Sequence, residues 1–458
     1  MPADAGSCAP RPDPRPDPRR AIPRTDALLA DPRFAAAAQR VGSTAVKAAI
    51  REAQDEARRG TIAPHEVGDR AAAALDARLG QATTLRAVVN ATGVVLHTNL
   101  GRAALSPAAR AAMALAGGPC DVEFDLADGR RARRGRGTLT ALAGELPTGT
   151  GTLVVNNGAA AIALVAAALA VTPGRPEIVV SRGELVEIGD GFRIPELLEA
   201  TGARLREVGT TNRTHVADYE GAIGPRTGFV LKVHPSNFRV SGFTSTVAIT
   251  DLAAVCARAA VPLVADLGSG LLTPDPLLPA EPDATSALRA GAQLVTCSCD
   301  KLLGGPQGGL VLGEPDLVER VRRHPLARAV RVDKTTLAAL EATLRGGATP
   351  THRSLHTDAD SLRARADRLA AALARLGVDG EVVTSDGAVG GGCAPGVALP
   401  GCAVALPQGW AAPLRSEAVV GRLEAGRLLL DVRCVPDAEV DILAQRVAEV
   451  ARTMTGTG

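Results

Sequence analysis

The sequence is poor in several residue types, and each shortage excludes a class of protein. Only eight of the 458 residues are aromatic, so any stacking on bases or on a cofactor ring must depend on few side chains. The eight cysteines are scattered, without a C-x-x-C pair and without clustering with the seven histidines, which argues against a disulfide framework or a metal site. No uncharged run of about 20 apolar residues occurs and no apolar stretch follows the N-terminal charges. We therefore predict no membrane span and no secretory signal, and expect a cytoplasmic protein.

Lysine is the scarcest of the charged residues. Four lysines, at positions 47, 232, 301 and 334, stand against 47 arginines. A lysine that persists in such a chain is a candidate for a task that arginine cannot perform, such as forming an imine. The net charge of +2 gives no indication of a nucleic-acid partner.

Composition divides the chain into four segments. Residues 1–24 are rich in Pro, Arg and Asp and predict an extended, disordered tail. Residues 25–85 are rich in Ala, Leu, Arg and Glu and predict a small helical domain. Residues 86–330 alternate short apolar runs with helical stretches, which predicts a mostly parallel α/β sheet. Residues 331–458 predict a smaller C-terminal α/β domain.

A Gly-rich loop after a predicted strand carries the most informative lysine. Asp300 and Lys301 follow the apolar run Leu294–Thr296, and glycines at 304, 305, 308 and 309 come next. A lysine at a strand end, followed by backbone that allows close approach, suits a side chain that reaches into a ligand pocket. A surface lysine before a Gly-rich turn would show the same local pattern.

An acidic residue ends the preceding predicted strand. Asp266 follows the apolar run Val261–Ala265, and an acid at the carboxyl end of a buried parallel strand points into the ligand crevice of such sheets. In enzymes that use pyridoxal phosphate (PLP), an acid at this place keeps the pyridine nitrogen protonated, which makes the ring an electron sink. A carboxylate that caps the next turn is the alternative role for this residue.

The third feature is the turn after the predicted strand Leu153–Val155. Asn157, Gly158 and Ala159 open an alanine-rich helix there, and the free N–H groups of a helix N-terminus bind anions such as a cofactor phosphate. Any βα turn has this pattern by itself. The order phosphate turn, Asp, Lys, each at a strand's carboxyl end, is more specific because it matches the large domain of fold type I PLP enzymes.

Five longer segments carry a family resemblance: Val89–Arg102, Ser181–Gly189, Gly209–Arg213, Asp300–Gln307 and Arg328–Lys334. Through them the chain, over about residues 25–450, resembles the bacterial selenocysteine synthases, which are L-seryl-tRNA(Sec) selenium transferases. The resemblance implies a fold type I PLP-dependent transferase in which Lys301 is the Schiff-base residue.

The resemblance also implies a reaction. Seryl-tRNA(Sec) would be converted to selenocysteinyl-tRNA(Sec) through a PLP-bound dehydroalanyl intermediate, with selenophosphate as the selenium donor. Lys301 is then the expected base for the seryl α-proton, and Asp300 is a candidate helper in proton transfer. Arg102, Arg328 and Arg331 match family positions that bind the selenophosphate anion, for which the guanidinium fork is suited.

The same resemblance implies roles for the helical segment, for the assembly of subunits and for one histidine. The helical segment 25–85 would dock the tRNA, although its basic and acidic residues balance and give no independent support. The subunits would form a homo-oligomeric ring of dimers, a decamer, with active sites at the dimer interfaces. His234 is a further candidate for contact with the cofactor, and a purely structural role for this histidine stays open.

Several interpretations remain open at this level. The run Arg130–Arg136 could contact tRNA phosphates or form a solvated loop. Cys297 and Cys299 could be packing residues or make the site sensitive to oxidation. The alternatives to the transferase are a PLP-dependent lyase acting on a small amino acid or amino sugar phosphate, and a non-catalytic tRNA-binding scaffold. The predicted helical domain argues against the lyase, and the presence of Lys301 and Asp266 argues against the scaffold.

Overall fold

The computed structural model describes residues 21–80, 83–171, 174–189 and 191–455. Most of the predicted tail, residues 1–20, lies outside the described residues. The chain divides into two compact units, Met1–Ala87 and Val88–Gly458. The domain bounds predicted from the sequence, which divide the second unit further, stay a prediction.

The first unit is helical in its described part. Its helices are α1 Thr25–Leu29, α2 Pro32–Val41, α3 Ser43–Arg58 and α4 Val67–Gly80, with a 3-10 turn at Pro64–Glu66. Asp31 caps α2, because its side chain accepts a 2.9 Å hydrogen bond from the Arg33 N–H, one of the donors that a helix start leaves free. Phe34, Ile50 and Leu75 form part of a small apolar core between these helices.

The second unit alternates strands and helices. Its strands are β1 Val89–Ala91, β2 Val94–Leu96, β3 Gly151–Val155, β4 Glu177–Ser181, β5 Glu187–Ile188, β6 Phe192–Arg193, β7 Arg204–Val208, β8 Thr227–Val233, β9 Leu263–Gly268, β10 Leu294–Ser298, β11 Gly309–Gly313, β12 Glu381–Gly390, β13 Cys393–Pro407, β14 Val419–Glu424 and β15 Arg427–Asp431. Its helices are α5 Pro107–Gly117, α6 Arg136–Gly144, α7 Gly158–Leu169, α8 Ile194–Ala200, α9 Val216–Glu220, α10 Ile249–Ala259, α11 Ala284–Arg289, α12 Pro315–Arg323, α13 Leu326–Ala329, α14 Lys334–Arg345, α15 Pro350–His356, α16 Ala359–Arg375, α17 Ala411–Ser416 and α18 Val440–Thr455.

A seven-stranded sheet forms the centre of this unit. Its strand order is β3-β11-β10-β9-β8-β4-β7, and only β11 runs antiparallel to its neighbours. Except for the edge strand β7, the strands are apolar along most of their length, as expected when helices cover both faces of a parallel sheet. The alanine-rich α7 is also largely buried. This topology brings the carboxyl ends of β3, β9 and β10 to one edge of the sheet.

A second sheet has six strands in the order β1-β14-β15-β13-β12-β2. Residues 89–96 supply both of its edge strands, β1 paired with β14 and β2 paired with β12, although they precede the large sheet in the sequence. The predicted α/β class, with a mostly parallel large sheet, a smaller C-terminal sheet and N-terminal helices, is confirmed. None of the helices in the described ranges is long and apolar enough to cross a membrane.

Candidate active site

Lys301 lies at the carboxyl edge of the large sheet, just after β10. Its side chain is buried, and its Nζ has no hydrogen bond or ion pair to any residue in the described part of the chain. Of the other lysines, Lys232 pairs with Glu184 at 2.5 Å, Lys334 donates to the Gly118 carbonyl at 2.5 Å, and Lys47 is exposed. Lys301 is thus a buried amine that is free to react.

Asp266 lies on β9, the strand next to Lys301. The carboxylate is buried and accepts a 2.6 Å hydrogen bond from the Thr296 hydroxyl on β10. Burial raises the pKa of Asp266, while the Thr296 hydrogen bond and the charge of Lys301 act in the opposite direction. A buried acid beside a buried amine, on adjacent strand ends, is an arrangement typical of active sites.

Gly268 brings the backbone at the end of β9 close to Lys301. Gly268 has a φ of 70°, and a side chain at this position would begin 3.6 Å from Ser236 Oγ and 3.9 Å from Lys301 Nζ. Ser269 Oγ is buried and has no hydrogen-bond partner among the described residues. Lys301 Nζ and the Ser236 hydroxyl therefore both lie near the point where a side chain at position 268 would begin.

The turn between β3 and α7 is the predicted phosphate site. Asn157 caps α7 by accepting a 2.8 Å hydrogen bond from the Ala160 N–H, and Gly158 and Ala159 follow in the first turn. A side chain at Gly158 would begin 2.5 Å from Ser298 Oγ, so this hydroxyl of β10 lies directly against the helix start. The structure thus brings the phosphate turn to the strand that leads to Lys301.

Arg102 and Asp300 form an ion pair beside Lys301. Arg102 Nη1 donates to Asp300 Oδ2 at 2.6 Å, and the Asp300 carbonyl accepts a hydrogen bond from the Ala103 N–H at 3.3 Å. Arg102 has a φ of 62°, a left-handed conformation that costs a non-glycine residue about 1 to 3 kcal/mol. The surrounding structure therefore holds this arginine against Asp300 at the expense of local strain.

The other two predicted anion-binding arginines lie in a different pocket. Arg328 and Arg331 line a cavity of about 520 Å³ whose lining does not include Lys301, Asp300 or Arg102. The backbone of Arg331 forms an antiparallel bridge with Val155, at the end of β3. This pocket consequently adjoins the strand that carries the phosphate turn.

Glu123 is the acidic centre of this arginine pocket. Its Oε1 accepts from Arg331 at 2.9 Å and from Arg134 at 3.1 Å, while its Oε2 accepts from Arg131 at 3.1 Å. The Arg134 hydrogen bond, together with the charges of Arg331 and Arg131, holds the pKa of Glu123 below its usual range. Arg133 and Arg328 also line the pocket and have no ion pair among the described residues, so the pocket is cationic.

The Arg130–Arg136 run is thus largely engaged within the protein. Arg136 donates to the Phe124 carbonyl at 2.9 Å and contacts Asp121 at 3.1 Å, and Arg134 donates to the Val332 carbonyl at 2.9 Å. These contacts hold the Arg130–Arg136 run against residues 121–124 on one side and against the segment after α13 on the other.

His234 follows β8 and lies close to Asp266, whose carbonyl accepts its backbone N–H at 2.9 Å. Its Nε2 is 3.6 Å from Glu281 Oε1, just beyond hydrogen-bond distance, and both atoms are buried without a partner among the described residues. Glu281 also accepts from the Ala394 N–H of β13 at 2.9 Å. His234 therefore lies beside the candidate cofactor site and faces a buried carboxylate.

Three cysteines lie close to this site. Cys297 and Cys299 are fully buried, and burial raises the pKa of Cys297 to about 12 and that of Cys299 well above its usual value. Burial likewise raises the pKa of Cys393, which lies near Lys301 and Asp300, to about 12. These thiols are protonated at neutral pH, which supports a packing role. Among the described residues no group of His, Cys, Asp or Glu is arranged to hold a metal ion.

Comparison with known proteins identifies the family. The family model described as L-seryl-tRNA selenium transferase matches residues 88–436, and the one described as selenocysteine synthase N terminal matches residues 19–58. The chain belongs to the L-seryl-tRNA selenium transferase family. The predicted resemblance is thereby confirmed.

Curated members of the family are similar over most of the chain. The L-seryl-tRNA(Sec) selenium transferase of Moorella thermoacetica is 44% identical over 393 residues, which cover 80% of this chain and 82% of the relative. That of Edwardsiella ictaluri (strain 93-146) is 42% identical over 451 residues, covering 91% and 96%. The second alignment covers more of the chain than residues 88–458 and therefore extends into the first compact unit.

A solved structure supports the fold assignment. D-glucosaminate-6-phosphate ammonia-lyase superposes with a TM-score of 0.56 at 19% identity, covering 82% of this chain and 98% of that one. This likeness shows the fold alone, and it confirms the predicted fold type I of PLP-dependent enzymes.

Several residues of the site had no signal in the sequence. Glu123 precedes the arginine run without any motif of its own, and Glu281 lies in a Pro-rich loop. Thr296 ends the predicted strand and Ser298 follows it, and neither hydroxyl side chain belongs to a motif. Only the packing of β9 and of the start of α7 against β10 shows what Thr296 and Ser298 contact.

Proposed function

We propose that this protein is a PLP-dependent enzyme that converts seryl-tRNA(Sec) to selenocysteinyl-tRNA(Sec), with selenophosphate as the selenium donor. The observation that carries this proposal is the unpaired, buried Lys301 between Asp266 and the start of α7, in a member of the selenium transferase family. The names of the curated relatives support the reaction.

The residues present fit PLP. The free N–H groups at the start of the 12-residue helix α7 suit its phosphate, and the Ser298 hydroxyl lies against them. The Asp266 carboxylate suits a protonated pyridine nitrogen, and Lys301 suits an imine with the aldehyde carbon. When bound, PLP would supply an electron sink that makes the seryl α-proton removable and the β-hydroxyl a leaving group.

The chain's own residues would act around that sink. Lys301 would hold PLP through Nζ, and the same amine would accept the seryl α-proton. Asp300 lies next to it in the chain and is oriented by Arg102 at 2.6 Å, which places a carboxylate where it can assist proton transfer. His234 would lie beside the cofactor ring, held at its backbone by Asp266.

Selenophosphate is a compact anion, and three arginines are proposed to bind it. Arg328 and Arg331 line a cationic pocket next to β3, and the guanidinium fork suits bidentate binding of phosphate-type anions. Arg102, beside Lys301, lies outside this pocket within one protomer, so the three arginines would bind one anion only across the predicted dimer interface. These roles come from the family resemblance, and the surplus of positive charge in the pocket supports them.

The remaining assignments also belong to the proposal. The first compact unit would dock the tRNA, since its segment matches the family's N-terminal model. A ring of dimers, a decamer, and a cytoplasmic location remain predictions. The ammonia-lyase fold likeness keeps a PLP-dependent lyase as the second candidate, which the N-terminal match disfavours.

The proposal has a direct test. Purified protein should absorb at about 420 nm when loaded with PLP, and incubation with seryl-tRNA(Sec) and selenophosphate should yield selenocysteinyl-tRNA(Sec). Lys301→Arg keeps the positive charge but cannot form the imine, so it should lose both the absorbance and the product. The same exchange at the exposed Lys47 should keep the absorbance. A colourless wild-type protein that takes up no PLP would contradict the proposal.

A further inference from the structure

A buried carboxylate, that of Glu281, lies beside the candidate active site, and the proposed reaction assigns it no role. Glu281 belongs to the loop 269–283 between β9 and α11, and its side chain is 2% exposed. Burial of a carboxylate is costly unless hydrogen-bond donors satisfy its oxygens. The partners of the two carboxylate oxygens therefore indicate what this residue does.

One oxygen of Glu281 holds the start of β13. Its Oε2 accepts a 2.9 Å hydrogen bond from the N–H of Ala394, a residue with a φ of 44°, in the left-handed region that favours glycine. The neighbouring Cys393 packs in one apolar cluster with Leu302, the residue that follows Lys301. Glu281 thus fastens an end of the second sheet beside the reactive lysine.

The other oxygen of Glu281 faces His234. Its Oε1 is 3.6 Å from His234 Nε2, and both atoms are buried without a hydrogen-bond partner within the part of the chain that the structure describes. A small rotation of either side chain brings the two atoms within hydrogen-bond distance and satisfies both at once. Because an ionised carboxylate can only accept, His234 must then carry a proton on Nε2.

We infer that Glu281 is a positioning residue that accepts the His234 Nε2–H and thereby fixes the orientation and the proton position of this imidazole beside the cofactor site. The inference rests on the proposed function, in which His234 lies beside PLP. His234 is then held at two points, because its backbone N–H already donates to the Asp266 carbonyl at 2.9 Å. The hydrogen bond at one ring nitrogen of a histidine, often to a carboxylate, decides which nitrogen carries the proton.

The backbone hydrogen bond from Ala394 makes Glu281→Gln an informative substitution. The Ala394 N–H needs an acceptor, so the amide oxygen of the glutamine takes the place of Oε2 and the NH2 group faces His234. An NH2 group only donates, so His234 Nε2 must become the acceptor and the proton must lie on Nδ1. The exchange keeps the size of the side chain and the bond to β13, and we expect the fold to be kept.

Solid-state NMR reads this proton position directly in the full-length, PLP-free chain with isotope-labelled histidine nitrogens. The chain has seven histidines, and His234→Asn identifies the signals of His234 by their disappearance. His234 Nε2 should be protonated in wild type and unprotonated in Glu281→Gln. An unprotonated Nε2 in wild type would overturn the inference, and this comparison needs no variant at position 281.

The affinity for PLP gives a second readout, measured by absorbance titration. Loss of the charged acceptor should raise the Kd for PLP about tenfold in Glu281→Gln, and His234→Asn should have a similar effect. Because Glu281 acts through the imidazole, the double variant should bind PLP no more weakly than His234→Asn. A combined loss of about a hundredfold would show that the two residues act independently, which would contradict the inference.

Asp283 provides a matched control in the same loop. Its buried carboxylate accepts a 2.8 Å hydrogen bond from the Ser286 N–H and caps α11, a role that asparagine performs equally well. Asp283→Asn should change neither the proton position at His234 nor the Kd for PLP. If it raises this Kd as much as Glu281→Gln does, the effect comes from general disturbance of the loop and the inference is wrong.

The inference and the proposed function can fail separately. If wild type takes up no PLP but shows a protonated His234 Nε2 that Glu281→Gln removes, the proposed function fails while the contact between the two residues is supported. If wild type binds PLP and Glu281→Gln changes neither the Nε2 proton nor the Kd, the inference fails while the proposed function stands.

Discussion

Glu123 shows how one carboxylate can organise a cationic pocket. It accepts hydrogen bonds from Arg131, Arg134 and Arg331, and its side chain is only 25% exposed. Of these arginines, Arg331 is proposed to bind selenophosphate. Without Glu123, the guanidinium groups would repel one another and Arg331 would lose its orientation.

Glu123→Gln should therefore weaken both the fold and the anion site. Loss of the charged acceptor should lower the free energy of unfolding by about 1 to 3 kcal/mol at neutral pH, and the KM for selenophosphate should rise. Because the pKa of Glu123 is lowered from its ordinary 4.5, this stabilisation is present above that pH and is lost as the pH falls through the lowered value. The stability difference from wild type, measured by denaturant unfolding, should thus shrink in acid.

A matched control lies at the rim of the same pocket. Glu319 accepts hydrogen bonds from Arg322 and Arg323, which also line the pocket, but does not contact Arg331. Glu319→Gln should leave the KM for selenophosphate unchanged. An equal rise in KM in both variants would show that general charge, and not the orientation of Arg331, sets the affinity.

At the level of elements, the start of β11 packs against the start of α7. A side chain at Gly309 would overlap the Asn157 carbonyl oxygen, so only glycine lets the antiparallel strand approach the phosphate turn this closely. A side chain at the neighbouring Gly308 would likewise be crowded, because it would begin 3.2 Å from Cys299 Sγ. These glycines after Lys301 therefore allow the backbone to pack closely against the phosphate turn and Cys299.

Gly309→Ala should push β11 away from α7. We expect a loss of about 1 to 3 kcal/mol in the free energy of unfolding, together with a higher Kd for PLP because the helix start moves. Absorbance titration with PLP and thermal unfolding measure the two effects. Gly144→Ala, in α6 and facing open space, should leave the Kd for PLP unchanged and should not lower the free energy of unfolding. A normal Kd for PLP in Gly309→Ala would mean that the phosphate binds elsewhere.

At the scale of the whole molecule, the two compact units suggest a division of labour. The large sheet, the second sheet and every residue proposed to contact PLP belong to residues 88–458. The proposed tRNA-docking helices belong to residues 1–87. Their balanced charge means that docking would depend on shape and specific contacts more than on net attraction.

A chain shortened to residues 88–458 should therefore keep the PLP absorbance and lose affinity for seryl-tRNA(Sec). Filter binding with labelled tRNA, beside an absorbance spectrum, would measure both in one preparation. The full-length chain is the control. If the shortened chain binds seryl-tRNA(Sec) as tightly as the full chain, the docking role of the first unit is wrong.

Local sequence pattern predicted five of the seven strands of the large sheet and missed β7 and β11. The apolar runs at 153–155, 178–180, 229–233 and 294–296 lie in strands, and the run at 262–265 lies in β9 from residue 263 onward. A parallel sheet covered on both faces selects such uninterrupted apolar segments. The pattern did not show that residues 89–96 pair with strands more than 280 residues later. Strand partners depend on contacts far apart in the sequence, which composition and periodicity do not encode.

The sequence by itself determined the family, the fold class and the candidate Lys301, Asp266 and Asn157–Gly158 positions, because strand ends and Gly-rich turns are local features. Only the tertiary structure decided which groups meet. It pairs Arg102 with Asp300, separates both from the pocket of Arg328 and Arg331, and leaves Lys301 without a partner in the described part of the chain. The physical reason is that the reactivity of a side chain depends on its burial and its neighbours, and the packing of distant strands sets both.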